Sequence, residues 1–146
     1  MSIRALTLLL LLASCGRGEP PGQWRYALSW AGDRPLVHRQ SGGGLVTVSG
    51  ASDTGRFQLS GRCLTLELAG DVWTPVLPAG AGLAEGGEGI RLADKIVPLG
   101  SIVGLDGAAI NVNVPADIAE QVREARCPAQ FATFTGVTRP ERPQAD

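Results

Sequence analysis

His38 is the only histidine in the chain, so any reaction that needs an imidazole base must use it. A serine hydrolase brings a nucleophile, such a base and an orienting acid together. His38 stands beside Arg39 and just ahead of the run Gly42-Gly43-Gly44, and no Gly-x-Ser-x-Gly elbow occurs anywhere. A solvated loop or strand histidine is the expected role. The glycines at 80, 82, 86, 87 and 89 lack the Gly-Lys-Ser/Thr ending and the spacing before a helix of a phosphate loop, so Ala79 to Gly89 is expected to be a mobile, glycine-rich loop. Asp71, Glu85, Glu88, Asp94 and Asp106 are spread through expected turns, where acids serve solubility and local hydrogen bonding rather than a metal. Glu67 and Glu85 are the carboxylates a glycosidase pair would draw on, yet nothing in the sequence sets the separation such a pair requires. The expectation is a chain without catalysis, metal or cofactor.

The elements that would position these residues are mostly strands. Trp24, Tyr26, Leu28 and Trp30 alternate with Arg25, Ala27 and Ser29, the period-two pattern of a strand with one apolar face. These rings either line the core or rest against lipid headgroups or a ligand, because Trp and Tyr join an apolar body to a polar tip. Pro35 to Arg39, Leu45 to Ser49 and Phe57 to Leu68 supply further strands or hairpin arms, separated by turns at 41–44 and 50–55. Val72 to Pro78 is apolar but holds Pro75 and Pro78, which predicts an edge strand or a closing segment. A turn is expected at Ala93-Asp94, and Asp106-Gly107 predicts a hairpin joining 101–105 to 108–114. Pro115 to Arg126 reads as a helix, with Ile118, Val122 and Ala125 on one face and Pro128 stopping it. Phe131 to Val137 reads as a last strand, and 139–146 as a disordered tail. The fold class expected is mainly β (β-rich α+β): a small OB-like barrel or a curved antiparallel sheet with one helix at about 115–126.

The N-terminus carries the sharpest pattern. Arg4 supplies a positive start, Leu6 and Leu8 to Leu12 form an apolar body, and Ala13 and Ser14 precede Cys15. That is the shape of a cleaved export signal, and its apolar body is well short of the roughly 20 residues a spanning helix needs. Leu12-Ala13-Ser14-Cys15 resembles the lipobox of bacterial lipoproteins. The resemblance implies cleavage after residue 14, a diacylglyceryl thioether on Cys15 and acylation of the new amino group. Two or three acyl chains anchor stably where one does not. Gly16 in place of an Asp at the following position leans toward the outer membrane, facing the periplasm.

Cleavage there leaves 132 of the 146 residues, enough for a single domain with a real core over 24–138. Removing Arg4 leaves 12 of the 13 basic side chains against 14 acidic ones, which steers neither nucleic acid nor anionic lipid to the chain. Gly16 to Gln23 reads as a tether reaching at most about 28 Å, so the body would sit near the membrane surface. With Cys15 assigned to lipid, Cys63 and Cys127 remain as a pair in an oxidising compartment, and a disulfide is expected. A metal or redox pair is the poorer reading for thiols so distant in sequence. The segments Gly61-Arg-Cys-Leu-Thr-Leu, Thr74-Pro-Val-Leu-Pro-Ala-Gly and Pro98-Leu-Gly-Ser-Ile-Val, with Cys127, resemble a pattern in small exported bacterial proteins. That resemblance implies a small β-rich domain, OB-like, with the cysteine pair and with no activity attached.

The expected function is a membrane-anchored, non-catalytic protein-binding or envelope-assembly accessory. Trp24, Tyr26, Trp30 and Trp73 are the expected contact surface. A hydrophobic-ligand or glycan-binding module using Trp73 for stacking is the alternative, and an envelope hydrolase a lesser one.

Overall fold

The computed structural model describes residues 25–40 and 53–138. Cys15, the signal and tether before residue 24, Trp24, the strand expected over 45–49 and the tail 139–146 lie outside the described residues.

The described chain is mainly β. A hairpin of β1 (Arg25–Ala31) and β2 (Arg34–Gln40) closes through Gly32-Asp33, and Gly32 at φ 65° supplies the positive first position that a two-residue type II′ turn uses. β3 (Asp53–Ser60), β4 (Cys63–Leu68) and β5 (Asp71–Leu77) follow as a meander, confirming hairpin arms over Phe57 to Leu68. β6 (Gly82–Leu83), β7 (Gly89–Leu92) and β8 (Lys95–Pro98) form a separate three-stranded sheet with the expected turn at Ala93-Asp94. β9 (Ile102–Asp106), β10 (Ala109–Ile110), helix α1 (Ala116–Glu124), β11 (Phe131–Thr133) and β12 (Gly136–Thr138) complete the order.

The main sheet has nine strands, ordered β1-β2-β5-β4-β3-β9-β12 with β11 on β5 and β10 on β11. It is mixed, since β2 and β11 both run parallel to β5, and it does not close. The OB-like barrel and the purely antiparallel sheet are therefore both corrected. The reason lies in β5, which is a central strand and not the edge that its prolines suggest. Thr74 N–H donates to the Gln130 carbonyl at 2.9 Å on the β11 side, so Pro75 faces the opposite edge. On that edge the pairing with β4 ends at Trp73 and the pairing with β2 begins at Val76. Pro75 thus sits where the strand changes partners and no donor is called for.

The hairpin expected at Asp106-Gly107 does not form either. β9 pairs with β3 and β12, and β10 with β11. The Asp106 carbonyl accepts from the backbone N–H of Thr135 at 2.8 Å and from its hydroxyl at 2.9 Å, which splits the expected last strand into β11 and β12.

Two clusters hold the sheet. Leu36, Phe57, Leu66, Trp73, Leu105 and Phe134 fill one face beneath Ile90 and Val97 of the small sheet, with Phe57 and Phe134 tilted at 5.3 Å between centroids. On the other face, Ile118 and Val122 of α1 pack on Val37, Val76, Phe131 and the Cys63–Cys127 disulfide, whose Cα atoms are 5.4 Å apart. Closing 64 residues of chain stabilises the fold by about 4 kcal/mol on the chain-entropy account.

The helix is shorter than its sequence pattern. Pro115 is its N-cap, with extended backbone, and Ala125 its C-cap. Arg126 takes φ 61°, and the N–H groups of Arg126 and Cys127 donate to the Arg123 and Val122 carbonyls at 2.9 and 3.1 Å. That is a Schellman motif, whose accompanying apolar contact is Cys127 beside Val122. The cap aims Cys127 at Cys63. Among the described residues no helix is long and apolar enough to cross a membrane.

Candidate functional site

The aromatic positions separate. Trp73 is 3% exposed, and its indole N–H donates to the Leu68 carbonyl at 2.9 Å. Alternation in β5 turns it into the core, so it presents no ring face to a ligand, which corrects its assignment to a binding surface. Tyr26 and Leu28 lean, half-buried, on the cluster under α1, while Trp30 on the same side of β1 is 51% exposed. Burial raises the Tyr26 phenol above its ordinary value, and the neighbouring Arg39 guanidinium partly opposes this.

The edge that carries Trp30 has a defined chemistry. A two-residue turn makes Ala31 and Arg34 a hydrogen-bonded pair, and alternate pairs back along the hairpin then exchange bonds. Tyr26, Leu28 and Trp30 fall at the other positions, with N–H and C=O directed away from β2. Pro35 fits this parity: it stands opposite Trp30 and has no N–H to exchange. Among the described residues β1 pairs with β2 alone, so no described strand takes up those outward groups.

This edge differs from the others. β10, β12 and β6 are two, three and two residues long, and β8 carries Lys95 and Pro98. Short strands, lysine and proline are the devices that protect edges from pairing. β1 has seven residues, an unbroken register, no proline and no lysine.

His38 lies on the opposite face of the hairpin. Its Nε2 shares a hydrogen bond of 2.7 Å with Ser29 Oγ, a diagonal cross-strand contact. Burial holds its pKa below the ordinary imidazole range, partly offset by a hydrogen bond to the Pro78 backbone. The pair has a nucleophile and a base, but among the described residues no carboxylate contacts the ring. The carboxylates are also scattered: Glu67 faces Arg56 at 3.9 Å across β4 and β3, Glu85 lies on a 3₁₀ turn, and no group of three metal-binding side chains occurs among the described residues.

Past the disulfide, the described residues leave the α1-covered face of the sheet open. Two adjoining open clefts of about 460 and 420 Å³ lie there, sharing Glu67 and Val72, with Ile102 bordering one and Arg126 the other. Their lining mixes charged side chains such as Arg56, Glu67 and Arg126 with apolar Val72 and Ile102.

Sequence reasoning passed over Arg39. Its Nη2 donates to the Phe134 carbonyl at 2.9 Å, tying β2 to the crossing between β11 and β12. Their separation of 95 positions leaves no local signal of that bond. Compared with family models, with curated proteins and with solved structures, the chain matches none.

Proposed function

We propose that this chain is a bacterial envelope lipoprotein, anchored through lipid on Cys15 at the periplasmic face of the outer membrane, that binds another protein and catalyses no reaction. The anchor rests on Leu12-Ala13-Ser14-Cys15. The observation that supports protein binding is β1, a seven-residue edge that no described residue covers and that bears an exposed Trp30. Strand addition gains main-chain hydrogen bonds along such an edge and specificity from alternate side chains. Arg25, where β1 begins, follows Cys15 by ten residues, so this edge would work close to the lipid surface.

The test combines both parts. With an alkynyl fatty acid supplied to cells, the wild-type chain takes up label and sediments with membranes, and Cys15→Ala does neither. A photoreactive amino acid at Leu28 forms a discrete protein adduct that Trp30→Pro abolishes. Label that survives Cys15→Ala, or an edge that forms no adduct, overturns the corresponding half.

A hydrolase is the second reading, favoured only by the 2.7 Å Ser29–His38 contact. Ester hydrolysis by the purified chain that is lost in both Ser29→Ala and His38→Gln would establish it in place of the first.

A further inference from the structure

We infer that the partner on the β1 edge is a second copy of this chain, paired antiparallel about a two-fold axis through Leu28. The inference rests on the reading of β1 as a contact surface and names what occupies it.

Self-pairing is constrained by parity. Only Tyr26, Leu28 and Trp30 direct backbone donors and acceptors outward, so a second strand must oppose outward residue to outward residue. An axis at residue 28 sets Leu28 against the partner's Leu28 and Tyr26 against the partner's Trp30, and it is the register that uses all three positions on both strands. A closed two-fold contact needs a patch complementary to itself. The run Tyr-Ala-Leu-Ser-Trp from 26 to 30 has that symmetry, with an aromatic residue two places to either side of a central leucine.

The side chains agree with the backbone. Trp30, 51% exposed in one copy, gains an aromatic cross-strand neighbour in the partner's Tyr26. No charge within the strand meets a like charge, since Arg25 falls opposite the partner's Ala31. The interface is narrow, one strand from each copy. Anchoring both copies to one membrane would raise their effective concentration and favour such a contact.

The register gives a test in intact cells with the full chain. Ala27 opposes the partner's Ser29 as a non-hydrogen-bonded pair, where Cα atoms lie about 4.5 Å apart, within the span a disulfide bridges. Ala27→Cys and Ser29→Cys chains carrying different tags are made separately and together. A crosslinked species holding both tags is expected when they are co-expressed, with only a trace of dimer from either alone, and Trp30→Pro in both chains should remove it. Formation of the Cys63–Cys127 disulfide reports folding in every variant. Equal crosslinking in single and mixed cells, or none in folded mixed chains, overturns the pairing. If a photoreactive group at Leu28 then captures a different protein, β1 remains a contact surface and only the self-pairing fails; if it captures nothing, both fail.

Discussion

Removing the single described crosslink, with Cys63→Ala and Cys127→Ala together, should cost about 4 kcal/mol of stability. The bond closes a loop of 64 residues, and on the chain-entropy account its loss returns that much freedom to the unfolded ensemble. Domains of this size have net stabilities of about 5–15 kcal/mol, so the loss is a large share of the whole. With a urea slope near 2 kcal/mol per molar, the midpoint should fall by about 2 M. The double substitution avoids an orphaned thiol and leaves the Schellman hydrogen bonds of α1 in place. The assay is urea unfolding of the oxidised wild type, the reduced wild type and the double variant, followed by far-UV circular dichroism and by tryptophan fluorescence. Reduced wild type and variant should coincide. A midpoint shift below about 0.5 M would refute the reasoning, since it would mean that the packing of Ile118 and Val122 alone holds α1 to the sheet.

Arg126→Gly should raise stability by about 0.5–1 kcal/mol, the left-handed penalty at φ 61° less the entropy that glycine adds to the unfolded chain; thermal unfolding reads the gain. Trp73→Phe should cost about 1–3 kcal/mol, because it removes the buried indole hydrogen bond to the Leu68 carbonyl and shrinks a ring packed in the core, and denaturant unfolding measures it. His38 has a folded pKa below its unfolded value, so the unfolded chain binds more protons between the two. Its contribution is therefore fully present above about pH 6.5 and is lost as pH falls through the folded value, and His38→Gln should flatten the acid side of a melting-temperature profile there.

Local patterns in the sequence were legible where local physics decides them. The alternation from Trp24 to Trp30 marks β1, the apolar spacing of Ile118 and Val122 marks α1, and the lone pair Cys63 and Cys127 forms the disulfide. What escaped depends on partners distant in sequence. Pro75 signals an edge strand only if both sides of β5 are assumed to need donors throughout, and the change from β4 to β2 removes that need. Asp106-Gly107 has the composition of a hairpin turn, yet Thr135 claims the Asp106 carbonyl from 29 residues away. Helix α1 ends before its apolar spacing does because Arg126 adopts the left-handed cap. At the candidate site the aromatic alternation was legible, but burial sorted it: Trp73 went to the core and Trp30 to the edge. That β1 lacks the edge protection seen in the other described strands follows only from comparison with β6, β8, β10 and β12, whose lengths and neighbours are set by the whole sheet.

We propose that Cys15 carries the lipid that fixes this domain to the envelope. The most direct test is mass spectrometry of the N-terminal peptide of the chain purified from bacterial membranes. The expected first residue is Cys15, bearing a diacylglyceryl thioether and an acylated amino group. A mature chain that begins elsewhere, or one that begins at an unmodified Cys15, would contradict it.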